Sequence, residues 1–249
     1  MDSKEDILPA EIQQSINTYM PFLMEIRKRL FFTFCLFVIT AVIGFIYTDK
    51  IIGLIIEIFG IKGVNIVFTS PFQYINLSFS ISFLVGITIL FPVIIFQVIT
   101  FLKPALKTQE YKLVLSLLPI SILLFISGFI FGTIVMRFII AAFYLQSVKL
   151  NLGNFLDLSN LISHILTTAL LMGLAFQFPI LITALIRLKV VKQRTLSKRR
   201  FWIYATAAMF AALLPPADLP STGAYFLILI ILFEVTLLLN RWIGKTHLL

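Results

Sequence analysis

Cysteine occurs once in this 249-residue chain, at Cys35, so an intramolecular disulfide is impossible and no cysteine-based metal site can be built. Charge is scarce as well: 12% of residues are Asp, Glu, Lys or Arg, against about 25% in soluble domains. Histidine occurs twice, and no His-Glu-x-x-His, Gly-x-Gly-x-x-Gly, P-loop or Gly-x-Ser-x-Gly pattern is present. His164, beside Ser163, has no evident acid partner and reads as an interfacial polar residue. The expectation is a chain that is not an enzyme and uses no metal and no cofactor. A basic n-region joined to an apolar core is also missing from the acidic first ~20 residues, so no cleavable signal peptide is expected.

What the chain has is hydrocarbon. Hydrophobic residues make up 60% of it and the mean hydropathy is +1.05. Several apolar runs approach the ~20 residues needed to cross a bilayer, so the bilayer is the solvent. Unbroken runs without period-two alternation exclude a β-barrel. The expected fold is an all-α integral membrane protein, one domain over residues 1–249, with short tails at 1–29 and 241–249. Six spans are read: Leu30 to Tyr47, Leu77 to Leu102, Leu113 to Met136, Leu161 to Arg187, Phe201 to Leu214 and Ala224 to Leu239. The segments Ile51–Asn76 and Arg137–Ser159 are read as outer connections, the first an exposed cap that is amphipathic at best. Pro92, Pro119 and Pro179 each remove a backbone donor and should bend their helices, giving a kinked, concave bundle.

The net charge of +9 is placed at the ends of the spans, which argues for membrane orientation and against nucleic-acid binding. Lys and Arg number four in the N-terminal tail, three between spans two and three, seven from Arg187 to Arg200 and two in the C-terminal tail. The other face holds Lys50, Lys62, Arg137 and Lys149, a split of sixteen to four. The positive-inside rule then puts both termini in the cytoplasm. The last two runs, 14 and 16 residues long, reach only ~21 to 24 Å and look too short for a ~30 Å core.

Few polar residues lie at membrane depth. Gln177, in Gly173-Leu174-Ala175-Phe176-Gln177-Phe178-Pro179, must face the bundle or a wet cavity, since an amide facing lipid costs several kcal/mol. It is either interhelical glue or a polar partner for something bound. Glu234, counted at ~15 Å from the outer end of its run, serves either packing or contact with a partner. On the basic face, Glu25 stands beside Arg27, Lys28 and Arg29, and Glu110 between Lys107 and Lys112. Solvated local pairing would account for both.

From Phe22 onward the pattern becomes specific. Leu23-Met24-Glu25-Ile26-Arg27-Lys28-Arg29-Leu30 resembles the first-span motif of the TatC family, large subunits of the twin-arginine protein translocase. The resemblance continues through Ser70-Pro71, Phe91-Pro92, Gln97, Phe101, Pro104-Ala105-Leu106 and Glu110. It reaches Gly173 to Pro179, Lys198-Arg199-Arg200, Leu214-Pro215-Pro216-Ala217-Asp218 and Leu232-Phe233-Glu234, nearly the whole chain. Phe22 stands where the family usually has histidine, Gln73 where it frequently has an acid, and Gln177 where many members have one.

The resemblance implies a receptor that binds the paired arginines of signal peptides on folded cargo and recruits TatA- and TatB-type single-span partners. Self-association in the bilayer is expected too. Signal-peptide binding is then assigned to Glu25, Glu110, Arg27 and Gln177, because two fork-shaped guanidinium groups are best held by carboxylates. Partner contact is assigned to Glu234 and Phe233 and to Pro215, Pro216 and Ser221 in the last outer turn, beside the short spans. A bacterial plasma membrane is the first expectation for location and an organelle membrane the second. A secondary transporter or permease would show inverted repeats, and an intramembrane hydrolase a nucleophile with its base; neither pattern is found.

Overall fold

In hydrocarbon every backbone N–H and C=O has to find its partner within its own segment, and long apolar runs therefore fold as helices. The computed structural model describes residues 10–59, 65–67, 70, 72–103, 106–149 and 155–246; Lys62, Pro71, Pro104 and Ala105, named above, lie outside them. In chain order come α1 (Ala10–Ile46), α2 (Thr48–Phe59), β1 (Asn65–Val67), α3 (Phe72–Leu102), α4 (Thr108–Ser116), α5 (Leu118–Lys149) and β2 (Phe155–Asp157). After them come α6 (Leu158–Ala175), α7 (Phe178–Arg187), α8 (Gln193–Lys198), α9 (Arg200–Leu213) and α10 (Leu219–Thr246). Five helical stretches are long and apolar enough to cross a membrane, and α9, the sixth, is shorter.

Prolines act at the breaks. Pro119 follows the turn at Leu117 that separates α4 from α5, and Pro179 follows the turn at Phe176 and Gln177 that separates α6 from α7. In each case the missing N–H belongs to a first turn, where it has no intrahelical acceptor to lose. Pro92 differs, because α3 runs through it without a break.

Three expectations change. The stretch after Met136 is not an outer connection from Arg137 on, since α5 continues to Lys149 before the chain turns. The cap segment is not simply exposed: α2 turns Ile52, Ile55 and Phe59 into a core with Leu77, Ile81, Met136 and Ile162, leaving Leu54, Glu57 and Ile58 outside. The last run is not short, because α10 starts at Leu219 and runs 28 residues, about 42 Å. Asp218 accepts from the Ser221 N–H and hydroxyl at the start of this helix, and Pro220 sits in the first turn, where proline is tolerated. The all-α expectation holds apart from one ribbon, in which β1 and β2 pair in parallel, Asn65 with Phe155 and Val67 with Asp157.

The tightest seam joins α5 to α6. A Cβ added at Gly128 would stand 2.6 Å from the Met172 carbonyl oxygen, and one at Gly132 would stand 2.9 Å from the Ala169 Cα. Small residues four apart let two backbones close on each other where no hydrophobic effect drives them together. Gly173 gives similar room to Phe125, whose ring stacks on Phe91 at 3.8 Å between centroids and so ties α3 to this pair. Next to it, α1 packs on α3 through Gly44 and Gly86, and α10 packs on α7 and α9. Outward-facing residues such as Phe31, Phe138 and Leu123 are largely exposed, as a lipid-facing surface requires.

Candidate functional site

The basic end of α1 is built by helical spacing. Glu25 and Arg29 lie four apart, hence one above the other on the same face. The Arg29 Nε and Nη2 both donate to Glu25 Oε1, at 3.1 and 2.5 Å. Arg29 Nη1 donates at 3.2 Å to the carbonyl of Gln97, near the end of α3, and so fixes the pair against a second helix. Thr33 Oγ1 lies 2.7 Å from Gln97 Oε1 and 2.8 Å from the Arg29 carbonyl, completing the bracket. Glu25 Oε2 has no partner among the described residues, and the Glu25 side chain is 43% exposed.

Glu110 sits in the first turn of α4, after the short connection that leaves α3. Its Oε2 accepts the Lys107 N–H at 3.0 Å, which orients the carboxylate at a helix start. Lys103 lies over the Tyr111 ring at 5.8 Å, so one neighbouring cation is held by an aromatic face and not by the carboxylate. The second oxygen of Glu110 is likewise without a partner among the described residues. Both carboxylates are thus pinned by one oxygen and open at the other, at the same end of the bundle. Arg27 and Lys28 point outward, lining a shallow cleft with Met24 and Phe31.

Gln177 is placed differently from a cavity wall. It is buried, its Oε1 accepts from the Ser121 hydroxyl at 2.5 Å, and its Nε2 donates to the Ser121 carbonyl at 3.1 Å and the Gly173 carbonyl at 3.4 Å. The amide clasps α5 to the α6–α7 break, and its donors and acceptor are used inside the chain.

The α9–α10 pair carries the remaining candidates. Glu234 lies fifteen residues beyond Leu219, about 22 Å along α10 and deeper than its apolar run implied. The Tyr204 hydroxyl donates to its Oε1, and Arg200 Nη2 lies 3.3 Å from its Oε2. Phe233 is 1% exposed, packed against Tyr204 and Phe178, and so faces the chain's own interior. Ser221 is buried on Asp218. Pro215 and Pro216 are joined by a cis peptide bond, and the Pro215 carbonyl accepts from Thr168 at 2.5 Å. Between α7, α9 and α10 an apolar cleft of about 310 Å³ opens, lined among others by Leu174, Phe178, Ala207, Phe210 and Ile230.

Reading the sequence missed the partners: Gln97 and Thr33 behind Glu25, Ser121 behind Gln177, and Tyr204 and Arg200 around Glu234. The Glu25/Arg29 spacing was a usable signal, and so was Gly128-x-x-x-Gly132. Which residue of another helix a side chain meets carries no local signal. Among the described residues no group of three or more His, Cys, Asp or Glu side chains is arranged to hold a metal ion.

Residues 21–234 match the family model described as Sec-independent protein translocase protein (TatC). The Sec-independent protein translocase protein TatCy of Bacillus subtilis is 32% identical over 221 residues, 87% of this chain and 86% of that protein. The TatC protein of Carboxydothermus hydrogenoformans is 26% identical over 227 residues, covering 91% of this chain and 93% of its own. A crystal structure of the twin-arginine translocase receptor TatC in DDM superposes with a TM-score of 0.77 at 28% identity, covering 88% of this chain and 99% of that one.

Proposed function

The chain belongs to the TatC family of Sec-independent translocase proteins, multi-pass membrane proteins of a protein-export complex and not enzymes, and from that premise we propose that it is the twin-arginine signal-peptide receptor of its translocase. The observation that carries this reading is the pair of half-free carboxylates. A guanidinium is permanently charged and offers donors along a planar edge, and each of Glu25 and Glu110 presents one oxygen without a competing partner among the described residues. One arginine per carboxylate accounts for the need for two. Arg29, backed by Gln97, holds the Glu25 carboxylate in place, while Arg27 faces the headgroups and anchors α1.

Both termini lie in the cytoplasm in this reading, the membrane is a bacterial plasma membrane, and the cargo is folded protein. Single-span TatA- and TatB-type subunits dock at α9 and α10, where the apolar cleft accepts a helix and Glu234 stands beside it at Tyr204. The burial of Phe233 and Ser221 makes them supports of that surface, not contacts on it. Gln177 shapes the bundle behind the site by holding α5 to α6.

The test is photo-crosslinking of a twin-arginine peptide to the protein in membranes. Glu25→Gln and Glu110→Gln should each abolish the adduct while the helical bundle survives, and a lysine-pair peptide should give little adduct with the wild type. Undiminished crosslinking in the double variant would overturn the assignment.

A further inference from the structure

The cations that follow α7 find almost no counter-charge among the described residues. Between Leu158 and Ala217 there is no Asp or Glu, and beyond that stretch only Asp218 and Glu234 remain. Seven Lys and Arg residues fall between Arg187 and Arg200. Of these seven, Arg200 alone is ion-paired among the described residues, to Glu234.

This basic stretch is folded. The Leu185 carbonyl accepts from the N–H groups of both Val190 and Val191, and Lys189 adopts a left-handed conformation at φ 58°, so the chain turns back sharply under α7. Leu196 then plugs α8 into the cluster of Ile182, Phe233 and Leu237. With one leucine buried, Lys192, Lys198 and Arg199 are left on the exposed side. Beside them the surface turns aromatic: Phe201, Trp202 and Trp242 are 75%, 70% and 75% exposed. Arg241 and Trp242 line a cleft of about 290 Å³ with Leu238 and Leu239.

We infer that the α7–α8 turn, the start of α9 and the end of α10 form a binding site for anionic phospholipid headgroups. Unpaired cations take up the phosphate, indole rings sit at headgroup level, and exposed leucines below them meet the acyl chains. A soluble acidic protein would match the cations but would leave the leucine cleft and the aromatic rim uncovered. The site is built on α7 to α10, on other helices than the carboxylate-bearing α1 and α4.

The protein carries its own probe, since Trp202 and Trp242 are its only tryptophans. In vesicles of phosphatidylcholine with one-fifth phosphatidylglycerol, bromine on the acyl chains of one lipid or the other quenches tryptophan by proximity. Brominated phosphatidylglycerol should quench as though enriched about threefold over its bulk fraction. The combined K189Q, K192Q, K198Q and R199Q variant should quench in proportion to bulk composition. Equal quenching by the two lipids at matched fractions in the wild type would overturn the proposal, and that comparison stands even if the variant fails to fold. Release of the enrichment by millimolar inorganic phosphate would also overturn it, as the mark of a free-anion site, and so would release by a soluble acidic peptide.

Discussion

At the scale of residues, the carboxylates are distinguished by what holds them. Glu25 and Arg29 form a half-buried pair four residues apart, a geometry that by itself adds only about 0.2 to 0.5 kcal/mol. Its importance is orientation, because the second anchor of Arg29 is a backbone carbonyl on another helix. Arg29→Lys should therefore keep more peptide binding than Arg29→Ala, the ammonium still reaching the carboxylate; equal loss in both, measured by peptide crosslinking, would remove the orienting role. Gln177 has a structural expectation instead. Ser121→Ala strips its oxygen of a donor at membrane depth and should destabilise the fold by about 1 kcal/mol, read as a lower thermal midpoint in detergent. Glu234→Gln retains an acceptor for Tyr204 and loses only the ion pair with Arg200, whereas Glu234→Leu loses both contacts. Partner co-purification should fall in that order, little for glutamine and strongly for leucine.

At the scale of elements, two features decide behaviour. One is the α5–α6 seam, where Gly128→Val would drive a branched side chain into the Met172 carbonyl and the Phe176 ring. Overpacking of this kind costs about 1 to 3 kcal/mol, and here the obstacle includes backbone, so loss of folded protein on size-exclusion is expected. The other is α9. It spans 14 residues, about 21 Å, and its far end is tied by Pro215 to Thr168, ten residues and about 15 Å into α6. The α9–α10 turn is therefore sunk below the far end of the neighbouring helix, and the missing length of α9 lies on that side. A cysteine placed at the exposed Ala217, with Cys35 replaced, should react with a membrane-impermeant maleimide added from outside intact cells. Absence of labelling would mean lipid covers the turn. Lengthening α9 by four leucines should weaken recruitment of single-span partners and spare signal-peptide binding, which is assigned to the opposite, cytoplasmic end.

At the scale of the whole molecule, α1 packs on α3, α3 on α6 and α6 on α5, and α10 joins α5, α7 and α9. The proposed peptide-binding carboxylates are carried by α1 and α4 and the apolar cleft proposed for partners by α6, α7, α9 and α10, so the two proposed functions fall on different helices. Coupling between them would have to pass through α3 and α6, where the Phe91 and Phe125 stack sits. Charge placement belongs to this scale as well. Moving the cations of the Arg187 to Arg200 stretch to the opposite connection should disturb insertion, measured by protease access to both termini, because K/R bias sets topology.

The sequence by itself determined the solvent, the helical class, the six apolar runs and the family, because burial in hydrocarbon imposes run length and end charge, both of them local properties. It also placed Glu25 within reach of Arg29, since one helical turn is a local distance. Tertiary structure alone decided which oxygen of each carboxylate stays open, that Gln177 closes on Ser121, that Glu234 closes on Tyr204 and Arg200, and that the turn after α9 is sunk while α10 is of full length. Each of these depends on how far one helix slides along another. That offset is set by close backbone approaches such as Gly128 to the Met172 carbonyl, and by single hydrogen bonds such as Thr168 to Pro215, between residues whose spacing along the chain carries no information about their meeting.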